Sequence, residues 1–209
     1  MVESEQIWRD VRHEFVTANG GRWRADAAAA MIGMRTTEWS RYIHDQLGVA
    51  LPPNEIAERV VKAVAQRMER VPVLPGATGA LERFATAFRL GLATSAAMPV
   101  AQTVLKQTGW GKLFEVVVSS DEVARGKPAP DVYLRALELL DAEATRAVAI
   151  EDSANGIRSA HAAKLAVVAI PNREFPPDAQ SLALASQVIP NLDALDANLV
   201  SELLNKESE

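Results

Sequence analysis

A short apolar run that ends abruptly in two neighbouring carboxylates constrains the fold of this chain more than any other feature. Residues 147–150 read A-V-A-I and are followed directly by Glu151 and Asp152. The turn-forming run S-A-N-G comes next, and helical spacing of apolar residues then resumes. This pattern is typical of a buried parallel strand that delivers acids to its carboxyl end, where open α/β sheets bind ligands. The alternative is that the two acids only begin a helix and favour its positive end.

Short apolar runs alternate with helical patterns over the later two thirds of the chain. The runs predict strands at 90–94, 114–119, 147–150 and 166–170, a small fifth strand at 187–189, and a terminal helix over 192–203. This alternation favours an α/β fold, a Rossmann-like parallel sheet with helices on both faces. Right-handed crossovers then place the carboxyl ends of all strands at one edge of the sheet. We therefore expect Thr94, Ser95, Glu151 and Asp152 to lie at this edge, with Lys127 on a nearby loop.

The first third of the chain carries four helical patterns and no strand signal. Apolar residues recur at every fourth position from Ile56 to Met68, which is typical of the buried side of a helix. The run V-P-V-L-P-G at 71–76 then contains two prolines and a glycine, a pattern that marks a boundary. We expect a helical cap over residues 5–71 and an α/β core over residues 72–209.

The composition excludes several classes of function. The formal net charge of -5 argues against a nucleic-acid binder, which normally carries a basic face. The absence of cysteine excludes disulfides, thiolate metal sites and cysteine nucleophiles. No apolar run reaches the length of a membrane helix, and the polar first residues do not form a signal peptide. We expect a cytoplasmic protein without a nucleic-acid or membrane partner.

The residues expected at the sheet edge suit a phosphate site. Thr94 can donate a hydrogen bond to an oxyanion, and Lys127 places a positive charge against negative charge on a proline-stiffened loop. Neighbouring carboxylates repel each other, so Glu151 and Asp152 favour a cation, and hard oxygen ligands of this kind suit Mg²⁺. Each residue also has a simpler interpretation, in which Thr94 only ends a strand and Lys127 is a solvated loop lysine.

Three runs together resemble the haloacid dehalogenase superfamily, in its branch of phosphatases and β-phosphoglucomutase-like enzymes with a helical cap. They are L-A-T-S at 92–95, R-G-K-P-A-P-D-V-Y at 125–133 and A-I-E-D-S-A-N-G-I at 149–157. The resemblance covers nearly the whole chain. It implies that Thr94 and Lys127 are catalytic and that Glu151 and Asp152 bind Mg²⁺.

The resemblance also implies a cap that closes the site and selects the substrate. Residues 33–36 fall where cap residues of the family reach toward the substrate. The candidate substrate-binding residues are Ser95, Arg35, Arg24 and Asn155. The cap is the least motif-like part of the chain, so the sequence does not name the substrate.

One departure from the family pattern concerns the nucleophile. The family begins with a strand ending in D-x-D-G, whose first aspartate is the nucleophile and whose second is the general acid/base. No D-x-D occurs in this sequence. We expect the first central strand, which lies between the strands ending at Thr94 and Glu151 in the family, to be missing from a truncated chain. We further expect the chain to be poorly stable and inactive, and the reading frame upstream of Met1 to encode the strand.

The expected function is that of a Mg²⁺-dependent phosphatase acting on a small phosphorylated metabolite such as a sugar phosphate. One alternative is a β-phosphoglucomutase-like phosphosugar mutase. The other is a catalytically inactive relative that keeps the phosphate pocket and binds or regulates. We expect a monomer or weak dimer in each case.

Overall fold

The computed structural model describes residues 1–206 and alternates helices with short parallel strands. The first helices are α1 (Glu5–Ala18), α2 (Ala27–Ala30), α3 (Thr36–Asp45) and α4 (Pro53–Met68). The strands are β1 (Gly91–Thr94), β2 (Val116–Ser119), β3 (Val148–Glu151), β4 (Ala166–Ala169) and β5 (Gln187–Val188). The later helices are α5 (Ala77–Ala87), α6 (Met98–Thr108), α7 (Asp131–Leu140), α8 (Ala154–Ala162), α9 (Ala179–Leu182) and α10 (Ala197–Lys206). Across residues 1–206, no helix combines the length and the apolar character that a membrane crossing requires.

The strands pair in parallel and confirm the predicted α/β fold. β1 pairs with β2, and the register places Thr94 opposite Ser119. β3 pairs with β4, with Glu151 opposite Ala169, and β4 also pairs with β5. Every residue of β4 is buried, and β4 has a strand on either side of it. The parallel registers bring the carboxyl ends of neighbouring strands to a common edge, as expected.

The strands form two separate sheets rather than one. Within residues 1–206 no ladder joins β1 to β3, so the order is β1–β2 in one sheet and β3–β4–β5 in the other. Ile150 in β3 is 40% exposed, which is high for a strand residue in a sheet that helices cover. Within the described residues, neither β1 nor β3 therefore has a strand partner on the side that faces the other, and a missing central strand stays a prediction.

Residues 5–71, called here the helical segment, surround an apolar core of their own. Ile56, Val60, Val64 and Met68 are almost fully buried along one side of α4, as their spacing predicts. The core also contains Trp8, Val11, Val16, Ala27, Met31, Trp39, Ile43, Leu47, Val49 and Val71, joined by Val100 of α6. Apolar burial along α4 therefore stabilises the segment and also attaches it to α6. Its role as a cap stays a prediction.

The chain enters and leaves the helical segment at adjacent positions. Val2 pairs with Val73 in an antiparallel bridge. The amide of Leu74 donates to the carbonyl of Met1 at 3.0 Å, and the amide of Glu3 donates to Pro72 at 2.9 Å. At the predicted boundary at 71–76, the chain leaving the helical segment is therefore hydrogen-bonded to the chain entering it.

The terminal helix begins later than predicted. Residues Leu192–Ala194 form a 3₁₀ turn, and α10 begins only at Ala197. The side chain of Asn191 accepts hydrogen bonds from the amides of Asp193 and Ala194, which caps this short turn separately. Side-chain oxygens near the backbone compete with helical hydrogen bonds in this way, and the apolar spacing does not reveal it.

Candidate functional site

The ammonium group of Lys127 joins the two sheets at their common edge. Its Nζ donates to the carbonyl of Ala93 in β1 at 3.1 Å and to Oε1 of Glu151 in β3 at 2.5 Å. The two side chains are 8% and 7% exposed. A buried charge needs a partner of this kind, because an unpaired one costs several kcal/mol, on the order of 3–5 kcal/mol. Lys127 is therefore held in one place between β1 and β3.

Both carboxylate oxygens of Glu151 are already engaged within the protein. Oε1 also accepts a hydrogen bond from the hydroxyl of Tyr133, and Oε2 accepts from the amide of Asp152 at 3.3 Å. Burial and the neighbouring charge of Glu151 raise the pKa of Tyr133 above its ordinary value, so this hydroxyl keeps its proton. The ammonium of Lys127 lies 4.8 Å from the centre of the Tyr133 ring. Glu151 thus positions Lys127 with the help of Tyr133.

Steric crowding explains why glycine ends the run A-I-E-D-S-A-N-G. A Cβ atom on Gly156 would lie 1.9 Å from Oε2 and 2.1 Å from Cδ of Glu151. The first turn of α8 therefore passes over the carboxylate so closely that only glycine fits. Ser153 caps the same helix by accepting from the amide of Gly156 at 3.1 Å.

Asp152 is the exposed member of the pair of carboxylates. Part of its side chain is exposed to solvent, and the rest is surrounded by protein atoms. This burial, together with the charge of Glu151, raises the pKa of Asp152. The charge of the N-terminal ammonium, a hydrogen bond with the side chain of Asn172 and the charge of Lys127 partly oppose the rise. Mg²⁺ commonly takes one or two carboxylates and fills its other positions with water and phosphate oxygens, so Asp152 fits such an ion. Within residues 1–206 no cluster of three or more His, Asp or Glu side chains suits a metal.

Thr94 ends β1 and fixes the loop that follows. Its Oγ1 accepts a hydrogen bond from the amide of Ala96 at 3.1 Å. Ser119 supports the same loop from β2 by donating to the carbonyl of Ala96 at 2.7 Å. No described residue accepts the Thr94 hydroxyl proton, which stays available for an oxyanion. The neighbouring Ser95 is half-buried in this loop.

Asn155 and Arg35 connect the helical segment to the sheet edge. The amide Nδ2 of Asn155 donates to the carbonyl of Ile32 at 3.3 Å. Nη1 of Arg35 donates to the carbonyls of Val123 and Ala124 at 3.1 and 2.8 Å. Both side chains thus hold the two parts of the chain together on the same side as the predicted site.

A second contact reinforces the one made by Arg35. The amide of Thr36 donates to Oδ1 of Asp121 at 3.0 Å, and its hydroxyl donates to Oδ2 at 2.5 Å. Asp121 follows β2 in a 3₁₀ turn. The start of α3 is therefore tied to the loop that leads to Lys127.

Comparison with known proteins identifies the family. The sequence model of the haloacid dehalogenase-like hydrolases matches residues 1–170. The chain belongs to this family of hydrolases. Protein CbbY of Rhodobacter capsulatus is 32% identical over 216 residues, which cover 97% of this chain and 94% of that protein.

The descriptions of two further relatives of this haloacid dehalogenase-like hydrolase mention phosphorylated sugars. The phosphorylated carbohydrates phosphatase of Thermotoga maritima is 27% identical over 169 residues, or 78% of this chain and 76% of that protein. The crystal structure of a CbbY mutant from Rhodobacter sphaeroides in complex with xylulose-(1,5)bisphosphate has a TM-score of 0.81 and 27% identity. It covers 93% of this chain and 91% of that chain. At the level of reaction class, these comparisons support a phosphatase.

The structure brings most of the candidate residues of this hydrolase together. Lys127 bonds the carboxylate of Glu151 and the carbonyl of Ala93, the residue before Thr94, and the backbone amide of Asp152 donates to Glu151. Arg24 differs, since its guanidinium forms an exposed ion pair with the carboxylate of Asp26 at 3.0 Å and contacts none of the other candidates.

The sequence analysis missed two residues of this region. Tyr133 stands at the end of the run R-G-K-P-A-P-D-V-Y, so the run contained it, but its hydroxyl contact required the structure. Asp121 had no signal in sequence spacing, because its partner Thr36 lies in a distant part of the chain.

Proposed function

We propose that this chain is the scaffold of a Mg²⁺-dependent phosphatase that acts on a small phosphorylated sugar. The observation that carries the proposal is the buried group of Lys127, Glu151 and Tyr133 at the carboxyl edge of the strands. It holds an ammonium group at the place where α/β sheets bind ligands. The phosphatase relatives and the sugar bisphosphate in the CbbY complex support the choice of substrate class.

Each residue of the proposed site has a separate task. Thr94 donates its hydroxyl proton to one phosphate oxygen, and Lys127 sets a fixed positive charge against the negative charge of the phosphate. Glu151 keeps Lys127 in place, while Asp152 holds the metal ion. A bound Mg²⁺ would neutralise the remaining phosphate oxygens. The metal role expected for both acids is thus proposed for Asp152, because the oxygens of Glu151 are engaged elsewhere.

The nucleophile is the part of the reaction that residues 1–209 do not supply in this proposal. The sequence holds no D-x-D, and β1 and β3 each lack a strand partner on the side facing the other within residues 1–206. A strand ending in D-x-D-G would fit between them and bring its first aspartate to the same edge as Lys127. Loss of a nucleophile lowers the rate by about 10³–10⁶-fold. The chain alone therefore binds phosphate without measurable turnover.

The test is phosphate release from a panel of sugar phosphates, with and without Mg²⁺. We expect no release by the 209-residue chain and Mg²⁺-dependent release once an N-terminal strand carrying D-x-D-G is added. The matched control is the same extension with asparagine in place of the first aspartate. Strong turnover by the chain alone, abolished by Asp152→Ala, would show that the nucleophile lies within these residues and would overturn this part of the proposal.

A non-catalytic phosphate-binding protein is the second candidate, because the chain keeps the charged group but no D-x-D. Calorimetry with inorganic phosphate and Mg²⁺ distinguishes the two. Binding by a stable chain, together with no gain of activity from the added strand, would favour the binding protein.

A further inference from the structure

A groove of about 400 Å³ lies between α4 of the helical segment and α6. Val61 and Ala65 of α4 line it on one side, and Pro99 and Thr103 of α6 line it on the other. The hydroxyl of Thr103 donates to the carbonyl of Pro99 at 2.9 Å, so this polar group is already engaged within α6. The centre of the groove is therefore apolar. None of its lining residues belongs to the proposed phosphate site.

The charged residues at the groove differ from the other charged residues of α4. The groove is also lined by three exposed charged side chains, those of Glu58, Lys62 and Glu69. Among the described residues, none of these three forms an ion pair. Away from the groove, Arg59 pairs with Glu55, and Arg67 pairs with Glu14 of α1. The charges of α4 are thus neutralised within the chain everywhere except at the groove.

The order of the unpaired charges makes the groove complementary to itself. Lys62 and Glu69 are seven residues apart, which places them on the same side of α4 at a separation of about 10 Å along its axis. Ala65 lies between them. If two copies of α4 meet antiparallel about a twofold axis near Ala65, Lys62 of each copy faces Glu69 of the other. A parallel arrangement would instead bring like charges together.

The residues between the two charges suit close contact of two helices. Helix axes pack about 8–10 Å apart, and the shorter distances require small side chains such as Ala65 at the crossing point. Val61 and Pro99 add apolar surface beside it. An apolar centre with a polar and charged rim is the usual anatomy of a protein interface.

We propose that this groove binds a second copy of the chain, with the two α4 helices antiparallel and joined by two symmetric ion pairs between Lys62 and Glu69. The second copy contacts α4 and α6 together, so it holds the helical segment against α6. A contact built on one pair of helices lies at the low end of interface sizes, below about 1,200 Å², so the dimer forms in a concentration-dependent way. The proposal is independent of the phosphate site.

The first test is sedimentation velocity of the 209-residue chain at increasing concentration, up to about 1 mM. We expect a monomer that converts to a dimer. Lys62→Glu should weaken the association about tenfold or more, because it turns two attractive pairs into two repulsive ones. Ala65→Arg should abolish it by placing a long side chain at the axis. The matched control is Lys112→Glu, which makes the same charge change at an exposed position outside the groove and should leave the dimer intact.

The second test mixes two variants that each associate poorly alone. Lys62→Glu and Glu69→Lys both place like charges across the axis, but a mixed dimer of the two variants restores both opposite-charge pairs. We expect the equimolar mixture to recover association close to that of the parent chain, with circular dichroism showing that each variant is folded. A parent chain that stays monomeric, association that Lys62→Glu and Ala65→Arg leave unchanged, or a mixture that remains monomeric would each overturn the proposal. Phosphate binding does not enter any of these outcomes.

Discussion

The helical segment and the sheet edge are both buried, but different forces hold them. In the helical segment apolar side chains such as Ile56 and Val60 are fully buried at helical spacing. At the sheet edge Lys127, Glu151 and Tyr133 are buried as interlocked polar groups. Removing an apolar side chain leaves a cavity, whereas removing the partner of a buried charged group leaves an unsatisfied charge. Substitutions should therefore separate the two regions.

The largest effect is expected from Glu151→Ala, which leaves Lys127 buried without a carboxylate. We expect the free energy of unfolding to fall by about 3–5 kcal/mol, or the chain to be unfolded at 25 °C. Denaturant titration followed by circular dichroism measures this loss. The matched control is Glu174→Ala, which removes the partially exposed partner of Arg9 and should cost about 0–1 kcal/mol.

An equally small loss for Glu151→Ala would show that water reaches Lys127 and would break the contrast between the regions. Ile56→Ala in the helical segment provides the apolar reference. It should cost about 2–5 kcal/mol through the cavity it creates. Unlike Glu151→Ala, it should leave phosphate binding at Lys127 unchanged in protein that remains folded.

A smaller effect is expected from Gly156→Ala. The added Cβ would overlap the carboxylate of Glu151, and overpacking of this kind costs about 1–3 kcal/mol. The displaced carboxylate should also weaken phosphate binding, measured by calorimetry. Gly79→Ala in α5 is the control, because the nearest atom to its Cβ is the end of Arg83 at 3.6 Å. If both variants behaved alike, the close approach of α8 to Glu151 would have no energetic importance.

The smallest effect is a gain in stability from Asp152→Asn. The raised pKa of Asp152 means that the folded state holds the proton more tightly than the unfolded state. Protonated Asp152 therefore contributes fully to the stability of the folded state below the ordinary pKa of 3.8. This contribution is lost as the pH rises through the pKa of the folded state, so the ionised carboxylate destabilises the fold at neutral pH. We expect a slightly higher Tm at neutral pH, a gain that vanishes in acid, and loss of Mg²⁺ binding. Asp26→Asn, on the surface beside Arg24, should change neither the Tm nor Mg²⁺ binding.

The sequence predicted most of the fold because the relevant signals are local. Helix α4 follows from apolar spacing, and the strands follow from short apolar runs between turns. The terminal helix was misplaced at its start because Asn191 caps a separate turn there. The residues of the sheet edge were predicted from strand ends and from the family resemblance.

Contacts between distant parts of the chain could not be predicted in the same way. The hydroxyl of Tyr133 on α7 reaches Glu151 on β3, and Arg12 on α1 meets Trp39 on α3. The backbone of Lys164 adopts a left-handed conformation, with φ 66°, which costs a residue other than glycine about 1–2 kcal/mol. Only the structure reveals this backbone angle.

The antiparallel bridge between Val2 and Val73 has an evolutionary consequence. Neighbouring strands lie about 5 Å apart, so the two ends of the helical segment are separated by a single strand spacing. An insertion with adjacent ends can be exchanged for another of different length without moving the chain that receives it. The helical segment can therefore be replaced as one module without displacing the charged group around Lys127.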